Sequence, residues 1–155
     1  DPDELPKTYA QLINRVIDGR PDDLTMAIHL CRGNYRSTWF AEGGYEPVAE
    51  ILFSQINVDA YFLEYDDERS GDFAPLRYKI VVLGIISSKI PQLENMADLT
   101  KRIDEASQYI PLDNLCVSPQ CGFSSTHHGN VLTEDDQWRK LELVVNTART
   151  VWGES

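Results

Sequence analysis

Apolar residues in this chain switch repeatedly between helical spacing and short continuous runs, and this alternation constrains the fold more than any other feature. Leu5, Tyr9, Leu12, Ile13, Val16 and Ile17 recur at helical spacing, and Gly19 followed by Pro21 stops that helix. Leu24–Cys31 is apolar without a helical period, which predicts a strand. Pro47–Gln55 places Val48, Ile51 and Leu52 on one helical face, and Val58–Tyr65 reads as a second strand. Asp72–Arg77 reads as one or two helical turns leading into Ile80–Ile86, the clearest buried strand. Met96, Leu99, Ile103, Ala106 and Ile110 then repeat by threes and fours up to Pro111, and Asn114–Ser118 predicts a fourth strand. Thr133 caps a last helix with Glu134, Asp135 and Asp136 in its first turn, favourable at the positive end of the helix dipole. Trp138, Leu141, Val145, Ala148 and Trp152 form its expected buried stripe.

Strict alternation with buried strands implies an α/β fold, a parallel sheet covered by helices. In the first strand Leu24, Met26, Ile28 and Leu30 share one face, while Thr25, Ala27, His29 and Cys31 share the other. An apolar face towards helices and a smaller, more polar inner face suit the wall of a (β/α)₈ barrel of the TIM type. Polar residues at the strand's C-terminal end suit the mouth of such a barrel. A closed barrel takes eight strands and about 250 residues. Here 155 residues supply four strand–helix units and begin Asp1-Pro2-Asp3-Glu4 without an initiator Met. The expectation is that residues 1–155 are the C-terminal half of a barrel, with no internal domain boundary and with the N-terminal half as its partner.

Composition narrows the function. With 14 Lys+Arg against 25 Asp+Glu the net charge is −11, which argues against nucleic acid or an anionic membrane surface as partner. No apolar run approaches the ~20 residues of a membrane span, and the start lacks the basic and apolar regions of a signal peptide. Three scattered cysteines, Cys31, Cys116 and Cys121, are no disulfide framework, and their odd number points to a reducing, cytoplasmic setting.

The residues that could carry chemistry sit at strand ends. His29 and Cys31 lie on one face at the end of the first strand; alone, they read more readily as a hydrogen-bonded core His and a small apolar Cys than as metal ligands. Glu64 ends the second strand among Tyr61, Phe62, Leu63 and Tyr65, where a carboxylate must be paired, protonated or metal-bound. Asp66, Asp67 and Glu68 follow it, and a solvated loop is the favoured reading for Asp67. Cys121 follows the fourth strand in a stiff Pro119–Gly122 turn, whereas Cys116 lies within that strand and reads as core packing. One imidazole, one carboxylate and two thiolates make a tetrahedral zinc set in residue type. Their wide spacing fits no zinc finger, and two thiolates suit binding a substrate thiol better than activating water. The adjacent His127 and His128 read as an exposed loop. Gly43-Gly44 lacks the context of a phosphate loop, and Ser87-Ser88 lacks a base.

Four segments also carry a resemblance: HLCRGNYRSTWFAEGGYEPVAEILF (29–53), FLEYDDERSGDFAPLR (62–77), VVLGIISSKIPQLE (81–94) and SPQCGFSS (118–125). Together they resemble the C-terminal half of the catalytic domain of cobalamin-independent methionine synthases, above all the shorter single-barrel bacterial forms. The resemblance implies a (β/α)₈ barrel with Zn²⁺ held by His29, Cys31, Glu64 and Cys121. It implies a methyltransferase of methionine biosynthesis that moves a methyl group from 5-methyltetrahydrofolate, usually polyglutamylated, to the thiol of homocysteine. The His that serves proton transfer in larger members aligns with Ile86 here, which leaves Asp66, Glu68, a water or His127 for that role. Arg32, Asn34 and Arg36 follow the first strand as candidates for a substrate carboxylate or folate tail. Two other readings remain: a zinc-thiolate alkyltransferase with another acceptor or a non-folate donor, and an inactive barrel fragment that acts only by association, including with itself.

Overall fold

Four parallel strands run in sequence order, β1 (Ala27–Leu30), β2 (Ala60–Glu64), β3 (Ile80–Ile86) and β4 (Leu115–Pro119), in a computed structural model that describes residues 1 and 4–153. Pro2 and Asp3 of the N-terminal tetrapeptide lie outside the described residues. Helix α1 (Leu5–Ile17) precedes β1, α2 (Ala49–Gln55) joins β1 to β2, α3 (Met96–Ala106) joins β3 to β4, and α4 (Glu134–Trp152) follows β4. Consecutive parallel strands joined by right-handed crossovers place all helices on one side of a sheet. The burial follows this rule. Tyr61, Leu63, Val81, Leu83 and Leu115, alternate residues along three strands, are buried with Leu99, Ile103 and Phe53 in one core.

The opposite face is only partly covered. The cross-strand row His29, Phe62, Val82 and Cys116 runs along it, with His29 and Cys116 exposed, Phe62 37% exposed and Val82 buried. Cys116 is therefore not a core residue, because its place in the register puts it on the partly covered face. Gly84 marks a register shift between β3 and β4. A Cβ there would lie 2.8 Å from the Leu63 carbonyl oxygen and 2.9 Å from Gln120 Cα, so only glycine lets the strands approach this closely.

Four local expectations shift. Strand β1 starts at Ala27 rather than Leu24, and Met26 N–H donates to the Asp59 carboxylate (2.7 Å) instead of entering the strand. No helix forms over 72–77. Ala74 N–H donates to Asp72 Oδ1 (3.1 Å), a local turn that competes with a helix, and a single 3₁₀ turn lies earlier at Glu68–Ser70. Helix α3 stops at Ala106, where Ser107 Oγ and Gln108 Nε2 both donate to the Asp104 carbonyl, although Ile110 stays buried.

Helix α4 is capped as expected, with Thr133 and Asp136 bonded reciprocally, but its buried face is rotated from the apolar stripe. Trp138 is 60% exposed and Val145 is exposed, while Lys140 and Thr147 are buried. Lys140 Nζ donates to Glu94 at 3.0 Å, and Thr147 Oγ1 donates to the Leu143 carbonyl at 2.8 Å, so both polar groups enter the interior with partners. Val145, Ala148 and Trp152 instead line a groove with Cys116 and Val117 beside the free edge of β4. A second apolar groove, lined by Tyr9, Leu12, Ile28, Leu30 and Val48, flanks the free edge of β1. Among the described residues no helix is long and apolar enough to cross a membrane.

Candidate metal centre

Parallel strands place all their C-terminal ends on one rim, and the rim of this sheet collects the polar residues. His29 precedes the last residue of β1, Cys31 follows it, and Cys121 lies two residues beyond β4. Residues 90 positions apart thus meet. One ligand atom from each of His29, Cys31 and Cys121 lies within 4.8 Å of the others. The His29–Cys121 hydrogen bond is the main cause of two opposed shifts: it lowers the Cys121 thiol to about 7, helped by Ser125, and raises the His29 imidazole. Partial burial raises the Cys31 thiol, against a hydrogen bond from the Gly33 backbone. An imidazole and two sulfurs fit a tetrahedral zinc ion by donor chemistry, and three protein donors leave one position open.

Glu64 stands beside this group but is not gathered into it. Leu30 pairs with Leu63, so Glu64 follows the register position next to Cys31, and its charge raises both His29 and Cys31. Its side chain is fully buried and held by cations instead. Lys89 Nζ lies 2.8 Å from Oε1, Arg69 lies 3.5 Å from the same oxygen, and Arg32 lies 3.6 Å from Oε2. Arg32 N–H also donates to Oε2. Tyr45 locks this corner: its hydroxyl accepts from Glu64 N–H (2.9 Å) and donates to the Leu30 carbonyl (3.2 Å), while Arg32 stacks 4.3 Å above its ring.

The remaining candidates divide. Arg32 is spent on the scaffold, donating to the Gly43 carbonyl (2.6 Å), the Tyr45 hydroxyl (3.0 Å) and the Glu64 carbonyl (3.2 Å). Asn34 is buried and donates to Ser88 Oγ (3.1 Å), which donates to Gln120 Oε1 (3.1 Å). Arg36 is exposed in a tight turn closed by the Tyr35–Thr38 bridge, with positive φ at Arg36 and Ser37. Asp66 is not in a solvated loop: its side chain is 1% exposed and pairs with Lys89 at 2.9 Å. Glu68 is exposed at the start of the 3₁₀ turn. His127 is exposed against His128, whose ring meets Tyr35 from the β1 loop. Ile86, within β3, is buried in the core.

Sequence reasoning missed Lys89, Arg69, Ser88 and Gln120. Lys89 had one usable signal, a cation three residues beyond the most apolar strand.

Residues 19–149 match the family model described as the cobalamin-independent synthase catalytic domain. The chain is 56% identical over 156 residues to YxjG of Bacillus subtilis, covering 97% of this chain and 41% of that protein. It is 26% identical over 124 residues to a methionine synthase of Pyrococcus horikoshii, covering 78% of this chain and 32% of that protein. Its fold superposes, with a TM-score of 0.76 and 43% identity, on a candidate vitamin-B12-independent methionine synthase from Listeria monocytogenes, over 99% of this chain and 43% of that one. The chain therefore spans about two fifths of the length of the Bacillus and Listeria relatives.

Proposed function

Because the chain belongs to the cobalamin-independent synthase catalytic-domain family, we propose that it is the C-terminal half of a (β/α)₈ methyltransferase barrel that holds Zn²⁺. The ligands are His29, Cys31 and Cys121, with Glu64 as the fourth in the absence of substrate. The whole barrel moves a methyl group from 5-methyltetrahydrofolate to the thiol of homocysteine. The observation that carries this reading is the convergence of one imidazole and two thiols on the C-terminal rim of a parallel sheet. When bound, zinc supplies the means to keep a substrate thiol as a nucleophilic thiolate at neutral pH.

The chain's own residues prepare the site for that thiol. His29 holds Cys121 towards its thiolate form through their hydrogen bond, and Ser125 Oγ donates to the same sulfur at 3.7 Å. Arg36, exposed on the loop that follows Cys31, is placed to meet a carboxylate of a substrate, whereas Arg32 and Asn34 shape the rim from within. The departing folate nitrogen needs a proton. Glu68 and His127 are exposed on rim loops and remain the candidates for its delivery, while Asp66 is committed to Lys89. The two apolar grooves beside β1 and β4 receive the N-terminal half of the barrel, and without it they are the surfaces through which the chain associates with itself. The acidic charge speaks against nucleic-acid and anionic-membrane partners, and the odd number of cysteines fits a cytoplasmic enzyme.

A second reading keeps the thiolate chemistry and changes the acceptor or the methyl donor. It is favoured by Ile86, which is buried and offers no proton where larger members of the family have a His. Elemental analysis of the full-length protein, with Cys121→Ser as control, tests the metal: one zinc per chain, lost in the variant, is expected. Turnover with 5-methyltetrahydrofolate, with and without a glutamate tail, against S-methylmethionine or methylcobalamin separates the two readings.

A further inference from the structure

We propose that Lys89 is a positioning residue that competes with the metal for the Glu64 carboxylate, and that Asp66 sets the strength of that competition. The inference rests on the zinc site proposed above and concerns residues of this chain that face it.

One ammonium serves two buried carboxylates. Lys89 Nζ lies 2.8 Å from Glu64 Oε1 and 2.9 Å from Asp66 Oδ2, and the three side chains are 6%, 0% and 1% exposed. A simple structural ion pair needs only one carboxylate. A second one matters when the first has somewhere else to go, because a buried ammonium left without a partner is strongly unfavourable. Glu64 has such a place: it neighbours Cys31 in register, next to a donor group with three ligands and one open position. If Glu64 turns to the metal, Asp66 keeps Lys89 paired. When a substrate sulfur takes the open position, Lys89 offers Glu64 a charged partner to return to. Asp66 Oδ1 is buried without a hydrogen-bond partner, so this carboxylate is not saturated by the fold and can take more of the ammonium. Arg32, 3.6 Å from Glu64 Oε2, and Arg69, 3.5 Å from the Oε1 that Lys89 also meets, add positive field but have their own anchors, Tyr45 and Asp67.

The arrangement gives two variants opposite signs. Removing the charge in Lys89→Gln frees Glu64 for the metal. Removing it in Asp66→Asn leaves Lys89 wholly to Glu64 and draws that carboxylate away. The test is titration of the full-length protein with cobalt(II), followed by the sulfur-to-cobalt absorption band, then titration of the loaded protein with homocysteine. Lys89→Gln is expected to bind cobalt about 10-fold more tightly and to need about 10-fold more homocysteine to change the spectrum. Asp66→Asn is expected to bind cobalt several-fold more weakly, and Lys89→Arg to stay near the parent. Circular dichroism checks folding, and if Lys89→Gln does not fold, the homocysteine titration of the near-isosteric Asp66→Asn decides: with Glu64 already drawn to Lys89 it is expected to need several-fold less homocysteine than the parent, and an equal or greater requirement overturns the inference. A purely structural role lowers metal affinity in both variants. Parallel or absent changes overturn the inference. No sulfur-to-cobalt band in the parent protein overturns the metal site itself, and this inference with it.

Discussion

The two faces of the sheet do different work. On the helix side, Tyr61, Leu63, Val81 and Leu83 are buried to the last few per cent, and the chain's hydrophobic stabilisation is concentrated there. On the other side, one register step away, His29, Phe62 and Cys116 remain accessible. The difference teaches that stability and chemistry are separated by strand parity. Residues of one parity supply most of the core; those of the other include Val82, which is also buried, but leave His29 and Cys31 accessible at the C-terminal end of β1.

Substitutions on the two faces can break this division. The largest effect is expected at the rim: Cys121→Ser or His29→Ala lowers zinc affinity by about 100-fold or more, measured by competition with a chelator, with thermal stability of the metal-free protein nearly unchanged. Leu83→Ala on the covered face does the reverse, costing about 2–5 kcal/mol in denaturant unfolding and leaving the ligands in place. Gly84→Ala, where the strands meet too closely for a Cβ, is expected to cost about 1–3 kcal/mol and to disturb Gln120 and the Cys121 turn next to it. A pH series sharpens the comparison within the partly covered face. In metal-free protein, iodoacetamide is expected to alkylate Cys121 first as pH rises through about 7, whereas Cys31 and Cys116, whose thiols are raised, follow at higher pH. Mass spectrometry of the labelled peptides reads that order, and equal rates at all three would show that His29 does not stabilise the Cys121 thiolate. The smallest effect is Phe62→Ser on the partly covered face. It is expected to change the stability of this chain by less than about 1 kcal/mol, as denaturant unfolding would show.

Much of this was legible in the chain's period. The strand Ile80–Ile86 and the start of α3 at Met96 follow the sequence to the residue, and the Thr133 cap is where the acidic first turn predicts it. The failures have local causes. Asp72 folds back on Ala74 N–H, and Asp104 accepts from Ser107 and Gln108, so side chains took backbone partners that a helix would have used. The apolar stripe of α4 is real, but it flanks the free edge of β4, while Lys140 is buried because Glu94, 46 residues away, meets it. No periodicity predicts such a pair.

Glu64 shows where the two kinds of information part. Its sequence setting says only that a carboxylate among aromatic residues needs a partner, and that His29, Cys31 and Cys121 stand at strand ends with it. Those statements follow from short-range alternation, which a chain carries residue by residue. Which partner the carboxylate takes depends on Lys89, Arg69 and Arg32, brought to it by the parallel register of β1, β2 and β3 and by the loops beyond them. Ion-pair energies fall off with distance and change with burial, so the tertiary structure alone decided which cations surround the carboxylate.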